Sequence, residues 1–191
     1  MFYSGTIVSI CWIIFAIIWL VSAFGAKRNL HVSWWRSGWL RVILIICVYL
    51  FLRQEIYASF WTSHIREISL TTNPVVGGIG ALLCIIGIGL AIWARLHIGT
   101  NWGMPMSLKE NRELVTSGPY HYIRHPIYAG VMLALVGSAL VVSPWLLLVF
   151  ILYFLYFIYS ATSEEKTLTK EFPEEYAAYK KHTKMLIPFI L

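Results

Sequence analysis

Long apolar runs separated by short polar stretches dominate the hydrophobic pattern of this chain. A helix needs about 20 mostly apolar residues to cross a hydrocarbon core about 30 Å thick. Five runs approach or reach that length: residues 6–24, 42–61, 75–96, 127–142 and 145–160. The pattern therefore predicts an all-α, polytopic membrane protein with about five transmembrane helices, although Arg53, Gln54 and Glu55 interrupt the second run.

The last two runs are short, at about 16 residues or ~24 Å each for a rise of 1.5 Å per residue. Only Ser143 and Pro144 separate them, so residues 127–160 are expected to form a tight helical hairpin that barely crosses the bilayer. The predicted division is an N-terminal part with three transmembrane helices, residues 1–96, and a second part, residues 97–191. This second part contains the hairpin and cytoplasmic C-terminal helices.

The composition excludes the other broad classes of protein. Of the 191 residues, 59% are hydrophobic and 13% are charged, whereas soluble domains carry about 45–50% apolar and about 25% charged residues. The three cysteines (Cys11, Cys47 and Cys84) all lie in apolar runs and give no disulfide or zinc framework. A soluble domain, a disordered chain and a disulfide scaffold are therefore excluded.

Basic residues indicate the orientation, because segments rich in Lys and Arg stay on the cytoplasmic side. With five crossings, the ends of the first, third and fifth spans share one side, and the segments there contain every Lys and Arg except Arg53 and Arg66. The N-terminus is predicted outside and the C-terminus in the cytoplasm. This topology and anionic lipid account for the net charge of +6 without nucleic acid. The short chain suggests a prokaryotic plasma (inner) membrane.

Polar residues that could do chemistry are concentrated in two cytoplasmic stretches, residues 98–126 and 160–191. Loops held on a rigid scaffold often carry binding groups. His121 and His125 have the spacing of metal-chelating histidines on a helix, but Pro126 places a helix boundary there and no HExxH pattern exists. The sequence therefore predicts no metal site.

The order of the polar residues is more informative than any one of them. Residues 113–130 read ELVTSGPYHYIRHPIYAG. Upstream and downstream of that string lie Ile98-Gly99-Thr100-Asn101-Trp102, Glu164-Glu165-Lys166-Thr167-Leu168, Phe172-Pro173, Glu175-Tyr176-Ala177-Ala178-Tyr179 and Pro188. Together they resemble the signature of the isoprenylcysteine carboxyl methyltransferase family, LVTxGPYxxxRHPxYxG followed by EExxL, EYxxY and a final proline. Related phospholipid methyltransferases and sterol reductases carry looser versions.

The resemblance implies an integral membrane methyltransferase that binds S-adenosyl-L-methionine in a pocket formed by residues 98–126 and the C-terminal helices. The cofactor contacts that it implies are Arg112, Glu113, Leu114, Val115, Tyr120, His125, Pro126, Ile127, Tyr128 and Glu164. A substrate-facing arginine of the family has its counterpart here at Ser160. The sequence has no GxGxxG or βαβ pattern of the kind that marks a soluble dinucleotide-binding domain.

The types of residue suit this cofactor, which carries an ammonium, a carboxylate and a sulfonium. Glu164 is expected to hold cationic parts, and Arg124 or His125 to donate to the carboxylate. Tyr120 and Tyr128 are expected to form aromatic walls that face the sulfonium.

The catalytic candidates follow from the nature of the methyl acceptor. A carboxylate acceptor is already ionised at pH 7 and needs no general base. An amine acceptor would need one, and Glu165 and His125 are the nearby options. Arg124, His125 and Glu165 are therefore the candidate catalytic residues, and positioning and desolvation are expected to do most of the work.

Several acceptors and two other functions stay open at this point. The acceptor is expected to be a lipophilic small molecule or prenylated substrate, with an isoprenylcysteine-like carboxylate favoured over a phospholipid or another small lipophile. A sterol-type reductase would need a basic site for the 2′-phosphate of NADPH, which Lys109, Arg112 and Arg124 could form. The third hypothesis, besides a methyltransferase and a reductase, is a non-catalytic membrane scaffold.

Overall fold

The computed structural model describes residues 2–23, 29–31, 73–102, 108–109, 113–142 and 146–187. The described elements are α1 (Phe2–Ala23), β1 (Asn29–His31), α2 (Pro74–Ile98), β2 (Leu108–Lys109), α3 (Pro126–Val141), α4 (Leu146–Glu171) and α5 (Pro173–His182). Single 3-10 turns follow α2 and precede α3, at Gly99–Asn101 and Gly118–His121. Apart from the short antiparallel pair β1–β2, the regular elements of the described chain are helices, which confirms the predicted fold class.

Three of the described helices are long and apolar enough to cross a membrane, over Tyr3–Ser22, Pro74–Asn101 and Leu146–Glu171. A fourth apolar helix, Pro126–Val141, has 16 residues, which is the length predicted for the first arm of the hairpin. The predicted second span, residues 42–61, lies outside the described residues, and so do Arg53 and Glu55 within it.

The second arm of the hairpin is longer than predicted. A helix of about 16 residues ending at Ser160 was expected, but α4 runs unbroken for 26 residues to Glu171. The apolar run does stop near Ser160, yet the residues that follow are mostly good helix formers and contain no Gly or Pro before Pro173. At 1.5 Å per residue α4 is ~39 Å long. It therefore carries Glu164 and Glu165 on a rigid helical extension and not in a loop.

Local signals define both ends of α2. The Asn73 side chain accepts a hydrogen bond from the Val75 N–H at 2.9 Å, and Pro74 occupies the first helical position. The helix stops at Gly99, which has a φ of 54°, a conformation that other residues adopt only at a cost.

Glycines allow α2 and α3 to pack with their backbones in close contact. A Cβ added to Gly87 would lie 2.5 Å from the carbonyl oxygen of Gly130, and one added to Gly137 would lie 2.5 Å from that of Gly80. Small residues at such positions let helices approach closely in lipid, where the hydrophobic effect does not drive their association. These glycines therefore have a packing role between α2 and α3.

The third packed helix, α1, runs parallel to α2. Val8 is fully buried in a cluster with Cys84 and Ala81 of α2. At the other end, the Arg95 side chain donates to the Ser22 carbonyl oxygen at 2.6 Å, so both helices end on the same side.

The glycine contact can be tested with two alanine substitutions on one helix. Gly87→Ala is expected to destabilise the protein by about 1–3 kcal/mol, because the methyl group would overlap the backbone of α3. Gly89→Ala is the control, since nothing lies within 4 Å of its added Cβ; alanine should stabilise the helix there by about 0.5–1 kcal/mol. The measurement is thermal unfolding in detergent. Equal melting temperatures for the two variants would contradict the packing described above.

Candidate functional site

The segment before α3 is held in place by the chain that follows α5. Ile123 and Lys184 form a parallel β-bridge. The backbone N–H groups of Arg124 and His125 donate to the carbonyl oxygens of Lys184 and Met185 at 2.8 and 3.0 Å. Because these bonds run between backbones, the C-terminal segment positions two of the candidate catalytic side chains by main-chain geometry.

A buried carboxylate, Glu165, is the centre of a charged network. Its Oε1 accepts a hydrogen bond from Arg124 Nε at 2.6 Å, and its Oε2 lies 2.9 Å from Lys180 Nζ. The Arg124 guanidinium also donates to the Thr183 carbonyl oxygen, and His125 Nε2 lies 3.6 Å from Glu165 Oε1. The network joins α4, α5 and the segment before α3. Both oxygens of Glu165 are already engaged.

Tyrosines form a second connection between the same elements. The Tyr179 hydroxyl donates to the Tyr120 carbonyl oxygen at 2.5 Å, and the Tyr120 hydroxyl donates to the Ala94 carbonyl oxygen at 3.4 Å. Burial raises the pKa of Tyr120, and it raises the pKa of Tyr179 to about 12. Both phenols therefore stay protonated at physiological pH and serve as hydrogen-bond donors.

The turn that carries Tyr120 depends on Gly118. Gly118 has a φ of 60°, and a Cβ added to it would lie 2.6 Å from the ring of His97. The Nε2 atom of His97 lies 2.9 Å from the hydroxyl oxygen of Ser117. Any larger residue at this position would meet both backbone strain and the imidazole.

The segments described above line a cleft, partly open to solvent, at one end of the membrane helices. The residues that line it are Ile98, Asn101, Glu113, Leu114, Val115, Tyr120, Arg124, His125, Glu164, Leu168, Tyr176 and Tyr179. Two carboxylates, one guanidinium and one imidazole thus share a single cleft with aromatic and aliphatic walls.

Most of the residues expected from the sequence meet at this cleft. Those that line it are Glu113, Leu114, Val115, Tyr120, Arg124, His125 and Glu164. Pro126, Ile127, Tyr128 and Glu165 are not among the lining residues. Arg112 lies outside the described residues.

Tyr128 lies behind His125, away from the cleft lining. Its ring stacks on the His125 ring, with centroids 5.4 Å apart, and on the Phe157 ring, with centroids 4.5 Å apart. Its hydroxyl lies 3.2 Å from the hydroxyl of Ser160, which is fully buried. Tyr128 therefore sets the plane of the His125 imidazole.

Five lining residues were absent from the expected site: Ile98, Asn101, Leu168, Tyr176 and Tyr179. Each belongs to a string already singled out in the sequence, namely residues 98–102, the EExxL string or the EYxxY string. The three-residue spacing of Tyr176 and Tyr179 also places both on one face of α5. Membership in these strings was the sequence signal from which the five residues could have been added to the expected site.

Two buried polar atoms of the cleft residues make no hydrogen bond within the described part of the chain: His125 Nε2 and the Tyr176 hydroxyl. Their residues are 7% and 1% exposed, so bulk water reaches neither freely. Buried polar atoms are rarely left without partners in native proteins. These two are therefore prominent candidates for contact with a bound molecule.

Comparison with known proteins gives the family. The model of the phospholipid methyltransferase family matches residues 76–175, which is more than half of the chain. The chain belongs to this family.

Named relatives confirm the resemblance to isoprenylcysteine carboxyl methyltransferases within the family. The protein-S-isoprenylcysteine O-methyltransferase of Tribolium castaneum is 29% identical over 139 residues, covering 69% of this chain and 47% of that protein. The Xenopus laevis enzyme of the same name is 32% identical over 116 residues, covering 59% of this chain and 40% of that one. The chain thus spans less than half the length of these relatives.

Another relative is named for metal resistance and not for methyl transfer: the cobalt-zinc-cadmium resistance protein CzcN of Cupriavidus metallidurans. It is 31% identical over 141 residues, covering 70% of this chain and 58% of that protein. Among the residues described here, no group of three or more His, Cys, Asp or Glu side chains is arranged to hold a metal ion.

The fold of the family is also found in a solved structure. The eukaryotic intramembrane Ras methyltransferase, an isoprenylcysteine carboxyl methyltransferase, matches with a TM-score of 0.61 at 24% identity, over 78% of this chain and 53% of that one. At this level of identity the match shows a shared fold.

Removing the charge of Glu165 and removing the charge of Lys180 should lower the stability of the protein by different amounts. Glu165→Gln is expected to destabilise the protein by about 3–5 kcal/mol, because Arg124 would keep a buried charge without its counterion; the two side chains are only 6% and 8% exposed. Lys180→Gln should cost about 1 kcal/mol or less, since the Lys180 side chain is 53% exposed. Thermal unfolding in detergent distinguishes the two. A small effect of both would mean that Arg124 is held without Glu165.

Proposed function

We propose that this protein is an S-adenosyl-L-methionine-dependent methyltransferase that acts on a lipophilic acceptor at the membrane interface. The observation that carries the proposal is the cleft, in which Glu113, Glu164, Arg124 and His125 meet at one end of the apolar helices. These groups come from distant parts of the chain, and a polar cleft at such a place can receive a polar cofactor from water and a lipophilic acceptor from the membrane.

The chemistry of the lining residues fits the cofactor. Glu113 and Glu164 supply carboxylates for an ammonium, and Arg124 and His125 supply donors for a carboxylate. The aliphatic side chains of Leu114 and Val115, with the aromatic walls, suit an apolar ring system. Since the lining contains both signs of charge, it matches a zwitterion better than a ligand of one sign.

The residues around the reacting atoms then act mainly by positioning the two reactants and excluding water. When bound, the cofactor would supply a methyl group activated by its attachment to a sulfonium. The protein must orient the two molecules in line and keep water out. The stack of His125 on Tyr128 holds one wall of the cleft rigid for this purpose.

We favour an isoprenylcysteine-like carboxylate as the acceptor, with a phospholipid or another small lipophile as the alternative. A carboxylate needs no base. Glu165, the sequence-based candidate for a base, does not line the cleft and is paired with Arg124 and Lys180. We assign it a positioning role toward Arg124, which leaves His125 as the base that an amine acceptor would need.

An NADPH-dependent reductase fits the cleft less well. A 2′-phosphate site needs a cluster of cations, whereas the described lining has a single arginine against two glutamates. Two of the donors of that arginine are already used, toward Glu165 and Thr183.

The proposed orientation places the cleft in the cytoplasm, where the cofactor is made. The end of α2, the start of α3 and the polar extension of α4 all meet at the cleft, and so they share one side of the membrane. The concentration of Lys and Arg in these segments favours the cytoplasmic side and an N-terminus outside.

Calorimetry on the purified protein in detergent tests the proposed function. S-Adenosylhomocysteine is expected to bind with micromolar affinity and NADPH to give no heat. Glu164→Gln should weaken binding of S-adenosylhomocysteine at least tenfold, because a charge-assisted hydrogen bond contributes about 1.5–3 kcal/mol.

The matched control is Glu171→Gln, which removes the same charge from an exposed position on the same helix, outside the cleft. Its affinity should equal that of the wild type. Binding of NADPH alone would replace the proposal by a reductase. No binding of either ligand to the folded protein would favour a scaffold.

A further inference from the structure

Tyr176 combines three properties that single out its hydroxyl. The residue is 1% exposed, it lines the cleft, and its hydroxyl has no hydrogen-bond partner among the described residues. Its neighbour on the same face, Tyr179, is fully engaged with the Tyr120 carbonyl oxygen. The two tyrosines of the EYxxY string therefore differ. Tyr179 donates a hydrogen bond that joins two parts of the fold, whereas the Tyr176 hydroxyl donates to no described residue.

The surroundings of Tyr176 decide what kind of partner is missing. Burial raises the pKa of Tyr176, and the neighbouring carboxylates Glu165 and Glu164 raise it further while Arg124 opposes them. The phenol is thus a neutral donor among charged groups. Neither carboxylate accepts its proton, and no other group among the described residues does so, which leaves this hydroxyl available to a bound ligand.

The donors of the cleft indicate which part of a ligand would meet this hydroxyl. Two donor groups of Arg124 are committed to Glu165 and to the Thr183 carbonyl oxygen. The His125 ring has an unpartnered Nε2, which like the Tyr176 hydroxyl can donate. Two buried donors without a hydrogen-bond partner among the described residues of one cleft suit an anionic group with several lone pairs, such as a carboxylate.

We propose that the Tyr176 hydroxyl donates a hydrogen bond to the carboxylate of the amino-acid part of the bound cofactor, beside the His125 ring. This inference rests on the proposed function. It adds to the site a residue that lies just beyond the segment matched by the family model, residues 76–175.

The test is Tyr176→Phe, which keeps the ring and its edge-on contact with Tyr179, whose centroid is 6.0 Å away. S-Adenosylhomocysteine affinity, measured by calorimetry, should fall about ten- to a hundredfold, as for loss of a hydrogen bond to a charged group. The melting temperature of the ligand-free protein should stay the same or rise, because the variant removes an unpartnered buried hydroxyl. A structural role would lower that temperature instead.

A second ligand identifies the group that is bound. The analogue of S-adenosylhomocysteine without its carboxylate should bind wild type and Tyr176→Phe equally well. Tyr122→Phe is the matched control, because Tyr122 is 62% exposed and does not line the cleft. It should leave both affinities unchanged.

The outcomes separate this inference from the proposed function. If the wild-type protein does not bind S-adenosylhomocysteine, the proposed function fails. If the wild type binds and Tyr176→Phe binds as tightly, the inference alone is overturned. It is also overturned if the variant weakens both ligands by the same factor, since the hydroxyl would then contact the nucleoside or the ammonium.

Discussion

The buried ion pair between Arg124 and Glu165 joins the parts of the chain that form the cleft. Removing two charges from water costs several kcal/mol for each ion, and a pair recovers this only when its remaining hydrogen-bonding sites are filled. Here Lys180 fills the second oxygen of Glu165, and the Thr183 carbonyl oxygen takes another donor of Arg124. The chain after α4 is therefore a condition for the ion pair, and through the ion pair for the wall of the cleft that Arg124 forms.

Buried polar side chains have different roles in different parts of the described chain, and Arg95 has a structural one although its Nε makes no hydrogen bond there. The Arg95 guanidinium, between α1 and α2, bonds the carbonyl oxygens of Ser22 and Gly99 and lies 4.3 Å from the ring of Trp102. That set ties helix ends together. By contrast, unpartnered atoms of His125 and Tyr176 lie in residues that line one cleft. A well-determined fold tolerates such costs where a ligand can later remove them.

The sequence accounts well for features that depend on neighbouring residues and poorly for features that depend on contacts between residues far apart in the chain. Asn73 and Pro74 act within the first turn of α2, and Pro173 begins α5, so residues next to these helix ends account for where they lie. The length of α4 was missed because hydropathy changes at Ser160 although helix-forming residues continue. The wall formed by Tyr176 could not be placed, because α5 reaches the cleft through long-range contacts such as the Ile123–Lys184 bridge, which no local pattern encodes.

Selection of the acceptor is a separate matter from binding of the cofactor, and Ser160 shows why. The resemblance implies a substrate-facing arginine at this place, but the side chain here is neutral, fully buried and 3.2 Å from the Tyr128 hydroxyl. Under the proposed function, an anionic acceptor would gain no charge from Ser160 and would have to be oriented by Arg124 or His125. Under that proposal, a chain of this family could bind the cofactor through its cleft residues and differ from its relatives in the acceptor, because Ser160 is buried and is not among the residues that line the cleft.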